Sequence, residues 1–390
     1  MTGIASASRV LGGDELGFPL SFPKGANDIK RFMGLRLAAR NRVCSSGLAR
    51  SRAMHISSRA KALLVSNDIQ TLERIWRPAQ QARLREIVDL PQWIWDGDMS
   101  VDPRKLEDIE ILIATWGMPR LEEAQLNLMP RLRAIFYAAG TVKPFAGPFL
   151  ERGITVVNAS SANAVPVAEF ALSQILFGLK QGWQHHAQQR ANPGPAGWQE
   201  LDITGAYGST VGIVSLGRTG TKLCELLQAF TVRKLVYDPC GNKDDLLHKY
   251  GLHSVGLEKL FAESDVVTIH TPWLKETEGM ITGALLSTMK RNSTFINTSR
   301  GALVCEEEMI EVLERRPDLV AILDVTSQEP PDAGSPLYRL PNVVLMPHIS
   351  GSKGNEMCRM ADWMVDECIA WLAGRPLRFE VTKQDLERMA

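Results

Sequence analysis

From residue 60 onward the chain alternates short apolar strand-like runs with stretches whose apolar positions recur at helical spacing, the signature of an α/β protein. The runs Ala62–Val65, Ile109–Ala114, Ala134–Tyr137 and Thr155–Val157 predict strands, with helices over Thr71–Val88 and Leu121–Leu128. Together they make a small α/β domain of about a hundred residues. A long helical pattern then starts near Asn163 and runs past His186, with Val167, Phe170, Ala171, Gln174, Ile175 and Gly178 in register. It predicts an interdomain helix, ended by the Pro-, Gly- and Trp-rich loop Ala191–Trp198.

A second series follows. Val211–Ser215, Lys234–Tyr237, Val266–His270, Thr294–Asn297, Leu319–Leu323 and Val343–Met346 predict strands, with helices over Arg218–Phe230 and Leu303–Arg316. Such a series predicts a doubly wound parallel sheet. The closing helix, about Ser352–Leu372, has room to pass back to the first domain. The expected organisation is therefore α/β, with two Rossmann-like domains, doubly wound parallel sheets and an active site in the cleft between them. Residues 59–160 plus 352–390 form a discontinuous substrate-binding domain, and residues 161–351 form the nucleotide-binding domain.

Residues 1–58 read differently. They are rich in Ser, Gly and Arg, and residues 1–61 hold eleven Lys/Arg against three Asp/Glu. The remainder carries the opposite excess, because the whole chain has 44 of each. This basic leader reads as a disordered tail, an upstream start or an organelle-targeting segment. Overall neutrality argues against a nucleic-acid or anionic-membrane partner. The most apolar run, Val165–Leu179, is interrupted by Glu169, Ser173 and Gln174, which argues against a membrane span. Six cysteines with no C-x-x-C pair imply reduced thiols in a cytoplasm-like compartment. No metal site is expected, and His185-His186 has no carboxylate or Cys at ligand spacing.

Candidate chemistry begins at Thr210–Gly220, which reads T-V-G-I-V-S-L-G-R-T-G. Four apolar residues lead into S-x-G-x-x-G and then a helix, where a dinucleotide site would have G-x-G-x-x-G. The strand must bend tightly so that a pyrophosphate can sit on free backbone N–H groups at the helix N-terminus. Gly217 permits close approach of phosphate, Gly220 permits close helix–strand packing, and Arg218 and Thr219 lie between them. Ser215 replaces the first glycine and is tolerable where its φ stays negative. Asp238 ends the next strand and would take ribose hydroxyls. It would repel a 2′-phosphate, and Pro239-Cys240-Gly241 offers no Arg to receive one, so NAD is expected over NADP.

Behind that turn, three more apolar strands each end in a polar residue. Arg300 follows F-I-N-T-S, Glu329 follows L-D-V-T-S-Q, and His348 follows L-M-P. A cation, a carboxylate and an imidazole at the carboxyl edge of one parallel sheet can bind a carboxylate substrate and move a proton.

In this order, S-L-G-R-T-G with Y-D-P, S-D-V-V-T-I-H-T-P-W-L-K-E-T, F-I-N-T-S-R-G-A-L-V, L-D-V-T-S-Q-E-P and P-H-I-S-G resemble the D-isomer-specific 2-hydroxyacid dehydrogenase family. That family includes glyoxylate/hydroxypyruvate reductases, phosphoglycerate dehydrogenases and D-lactate dehydrogenases, and the match covers about residues 60–375. The resemblance implies NAD-dependent interconversion of a 2-oxoacid and a D-2-hydroxyacid in a homodimer. It implies that Arg300 binds the substrate carboxylate, that His348 is the acid/base, and that Glu329 holds the other imidazole nitrogen. His270, Thr271, Pro272, Thr298 and Ser299 would line the cofactor, with Asp324 and His348 near the nicotinamide. The segment Ala138–Val142, with Ala139, Gly140 and Thr141, would offer N–H groups to the substrate carboxylate.

The chain departs from the family at Ser215, at A-A-G-T-V-K where A-G-x-D is frequent, and at Thr326-Ser327 where bulkier residues are common. These departures bear on the substrate more than on the chemistry. Two other readings share the fold. One is a corepressor-like NAD-sensing binding protein. The other is a formate dehydrogenase, which requires Gln328 rather than Glu329 to face the imidazole.

Overall fold

The structure is a computed structural model that describes residues 59–240 and 243–389; the leader, Gly241, Asn242 and Ala390 lie outside the described residues. Five parallel strands form the first sheet: β1 (Ala62–Val65), β2 (Ile94–Trp95), β3 (Ile111–Ala114), β4 (Ala134–Tyr137) and β5 (Thr155–Asn158), in the order β2-β1-β3-β4-β5. Seven parallel strands form the second: β6 (Thr210–Val214), β7 (Arg233–Tyr237), β8 (Leu252–Ser254), β9 (Val266–Ile269), β10 (Thr294–Asn297), β11 (Val320–Leu323) and β12 (Val343–Leu345). Their order is β12-β11-β10-β9-β6-β7-β8, so the strand sequence reverses direction between β6 and β9. Helices cover both faces of each sheet, which is why β1, β3, β4, β9, β10 and β11 are buried along their whole length and are mostly apolar.

Two expected helices are each broken in two. Thr71–Val88 is a pair, Ile69–Ile75 and Pro78–Ile87, because Pro78 forces Arg77 into extended backbone and starts a new helix. The long helix runs over Ser160–Leu179 and stops at Gln181, whose φ of 50° is left-handed; a second helix, Gly182–Ala191, follows. Ser160–Leu179 is long and apolar enough to cross a membrane, yet Ala162, Ala168, Ala171, Ile175 and Leu179 are packed in protein cores. It begins in the core of the first sheet and continues along that of the second.

The described chain crosses between the lobes twice. After the second sheet, the closing helix Glu356–Leu372 buries Met360, Met364 and Cys368 in the same cluster as Leu64, Ile113 and Phe136 of the first. Arg83 reaches it through Asp362 and Asp366, both at 2.8 Å. The tail beyond is also fixed to this lobe. Glu367, buried, accepts from the Nε and N–H of Arg378 at 2.8 Å, and Val381 donates to the Val156 carbonyl at 2.8 Å. A short helix, Lys383–Glu387, then delivers Met389 to the apolar cluster that holds Val142 and Phe145.

Candidate active site

Three cavities follow the carboxyl edge of the second sheet in strand order. The outermost, about 220 Å³, lies at the ends of β6 and β7 and is lined by Leu216, Asp238, Lys243 and Asp244 among others. The central one, about 270 Å³, lies between the lobes, where β6 meets β9. The third, about 450 Å³, lies at the ends of β11 and β12. Ligands bind outside such a reversal of strand order because the flanking loops diverge there and leave a crevice.

The β6 turn is shaped by its neighbours. A Cβ on Gly220 would stand 2.1 Å from the Ser215 carbonyl oxygen, so only glycine lets the helix Arg218–Leu226 start this close to the strand. Gly217 borders open space, with nothing nearer its Cβ position than Ser215 Oγ at 4.0 Å. Ser215 has φ +79°, so the negative φ on which a serine here would be tolerable is not met. The tight turn is retained, and Ser215 carries the left-handed strain that a glycine would not. Asp238 accepts from the N–H of Leu216 at 2.6 Å and of Cys240 at 2.8 Å, so its carboxylate is fixed across the turn with lone pairs to spare.

The central cavity brings together Gly140, Thr141, Gly217, Arg218, Thr219, His270, Thr271, Pro272, Thr298, Ser299 and Arg300. Ala139 instead lies buried beneath its loop. Nδ1 of His270 and the hydroxyls of Thr271 and Thr298 are buried with no hydrogen-bond partner among the described residues. Orphaned polar atoms of this kind are costly, and a ligand rich in amide and hydroxyl groups would satisfy them. With the open face at Gly217, they fit a dinucleotide. Burial lowers the His270 pKa to about 4, so the ring is neutral at physiological pH. Desolvation also pulls the Arg218 pKa down, and Asp385 from the tail opposes it.

Arg300 has no carboxylate partner among the described residues; its Nη1 donates to the Ser299 carbonyl at 2.6 Å. His348 and Glu329 are in contact, Nδ1 to Oε2 at 2.7 Å. Gln328 turns to Asp332 instead, at 3.0 Å, so the imidazole partner is the glutamate. His348 and Glu329 line the third cavity with Asp324, Tyr338, Leu345 and Met346, not the central one. The two cavities share a wall, because the backbone of Gly301, next to Arg300, packs directly on that of Thr326.

Asp324 is buried, and both of its oxygens are engaged by the His348 loop. Oδ1 accepts from the N–H of Ile349 at 2.7 Å and Oδ2 from that of Ser350 at 2.9 Å. The His348 N–H donates to the Asp324 carbonyl at 3.0 Å. These bonds hold His348 at a left-handed φ of 52°. His185 is fully engaged elsewhere, with the Gln181 carbonyl at 2.9 Å and the Leu201 N–H at 3.2 Å.

Sequence reasoning missed Asn163, Arg388 and Met389, which also line the central cavity. Asn163 sits within the long helical pattern, and the other two lie some 250 residues from the loop they meet, so no local spacing marks them.

Residues 172–350 match the family model for the NAD binding domain of D-isomer specific 2-hydroxyacid dehydrogenases. The chain is 30% identical to the glyoxylate reductase of Korarchaeum cryptofilum, over 75% of this chain and 89% of that protein. It is 32% identical to the glycerate dehydrogenase of Methylorubrum extorquens, over 64% of this chain and 79% of that protein. The crystal structure of the TT0316 protein from Thermus thermophilus superposes with a TM-score of 0.62 at 28% identity, covering 83% of this chain and all of that one.

Proposed function

This chain belongs to the D-isomer specific 2-hydroxyacid dehydrogenase family, and from that premise we propose that it interconverts a 2-oxoacid and a D-2-hydroxyacid, with Arg300 binding the substrate carboxylate and His348–Glu329 moving the proton. The family's chemistry is NAD-dependent, and bound NADH supplies the hydride for the carbonyl carbon. In this reading Gly217, Arg218 and Thr219 take the pyrophosphate, Ser215 and Gly220 shape the turn, and Asp238 takes the ribose hydroxyls. His270, Thr271, Pro272, Thr298 and Ser299 line the other half of the cofactor.

The observation that carries the reading is the 2.7 Å contact between His348 and Glu329. A carboxylate on Nδ1 holds the proton there and leaves Nε2 as the atom that exchanges one with substrate. In reduction, Nε2 protonates the carbonyl oxygen; in oxidation it takes the hydroxyl proton. Arg300, uncommitted to any acid among the described residues, offers a planar fork matched to a carboxylate. Gly140 and Thr141 face it from the other lobe as the substrate loop, with Ala139 buried beneath them. Asp324 acts as a positioning residue through the His348 loop. The proposal includes a homodimer, for which the exposed Trp198 and Tyr207 offer apolar contact area.

The test is NADH oxidation over a panel of 2-oxoacids that includes glyoxylate and hydroxypyruvate, with Arg300→Lys beside the parent. Turnover by the parent and a loss of kcat/KM of about 100-fold in the variant are expected, since a point charge cannot hold a carboxylate through two parallel bonds. Intact NADH binding with no turnover of any 2-oxoacid would refute it.

A further inference from the structure

Arg388 stands in the central cavity with Arg300, delivered there by the tail. The placement is anchored on both sides. Lys143, next to the substrate loop, donates from Nζ to the Met389 carbonyl at 2.8 Å, and Met389 is buried in the cluster that contains Val142. One turn earlier, Asp385 lies close enough to Arg218 for each to perturb the other's titration. Asp385 itself is held by Thr382, N–H to Oδ2 at 2.8 Å, so the last turn of the tail is fixed.

The charges in the cleft are unequal in what they have left to bind. Arg218 sits at the helix N-terminus that would take the pyrophosphate, and Asp385 acts on it only at a distance, as it does on Arg388. Arg300 and Arg388 lie outside that turn, and neither makes an ion pair with an acid among the described residues. A 2-oxoacid with one carboxylate can satisfy only one of them. A substrate with a second anion beyond the keto group would satisfy both, and a guanidinium suits either a carboxylate or a phosphate there. Resting on the functional reading above, we propose that Arg388 is a specificity-determining residue that selects 2-oxoacids bearing a second anionic group at the end remote from the reacting carboxylate.

Two measurements on the full chain test this. Titration calorimetry into NAD⁺-loaded protein, where the oxidised cofactor prevents reduction, compares glyoxylate with oxaloacetate (a distal carboxylate) and 3-phosphohydroxypyruvate (a distal phosphate). NADH-coupled kinetics are run on the same three. At least one dianion is expected to bind tenfold or more tightly than glyoxylate, and the two dianions tell which group is preferred. Arg388→Gln should lower the ratio of kcat/KM for that dianion over glyoxylate by tenfold or more, through KM, while Arg388→Lys retains part of it. NADH affinity, read separately from quenching of tryptophan fluorescence, should move by less than twofold. Equal binding of all three acids, or an Arg388→Gln variant that loses NADH affinity with no change in the ratio, overturns the inference and leaves the functional reading intact. Failure of every 2-oxoacid to bind or turn over removes both.

Discussion

Gly301 and Thr326 are in backbone contact: a Cβ on Gly301 would stand 1.9 Å from the Thr326 carbonyl carbon and 2.1 Å from its oxygen. The loop that carries Arg300 is thereby locked to the one that carries Glu329. Gly301→Ala is expected to destabilise the fold by about 2–4 kcal/mol, since neither backbone can yield without moving its strand end. Activity should fall with it, because Arg300 shifts relative to the acid/base pair. Urea unfolding and kcat/KM, measured together, check this. A variant with parental stability and turnover would show that the loops part freely.

Glu329→Gln should lower kcat/KM for reduction by about tenfold or more. The carboxylate oxygen 2.7 Å from Nδ1 of His348 fixes the orientation and tautomer of the ring, and an amide there can present its NH2 group instead of an acceptor. A kcat/KM equal to the parent's removes Glu329 from the mechanism.

Ser215→Gly should stabilise the chain by roughly 1 kcal/mol, because glycine adopts a φ of +79° without the clash a side chain suffers. The urea midpoint measures it. A drop in stability would mean that the serine side chain itself supports the turn.

His270 predicts a pH dependence of folding. Its pKa falls from 6.5 to about 4 on burial, so the unfolded chain binds a proton that the native state refuses. The native state keeps its full margin above pH 6.5 and loses it as pH falls towards 4. At pH 5.5 the loss amounts to roughly 1 kcal/mol. Unfolding of the parent and His270→Gln at pH 7.5 and 5.5 gives the contribution as a difference. An equal acid sensitivity in both would show that His270 titrates normally in the folded protein.

The strands were legible because helices cover both sheet faces, so runs such as Ile111–Ala114 and Val320–Leu323 carry no polar interruption. The shorter strands β2, with two residues, and β8, with three, leave no pattern to read. Helix breaks depend on single backbone conformations. Pro78 announces its own, but nothing about Gln181 forecasts a left-handed φ. Arg300, Glu329 and His348 were legible as polar residues directly after apolar strands. Whether they share a cavity was not, because that depends on how the β10 and β11 loops meet. The role of Asp324 in holding the His348 loop, likewise, rests on bonds across 24 to 26 positions that no local spacing encodes.

Asn163 Oδ1 accepts from the N–H of Ser352 at 2.9 Å, which ties together the only two places where the described chain passes from one lobe to the other. A body joined by two well-separated struts is braced; one joined by two struts fastened side by side has an axle. Opening and closing of the cleft can then proceed as a swing about residues 163 and 352, with the ladders of both sheets left undisturbed and the gap between Arg300 and Gly140 taking up the movement.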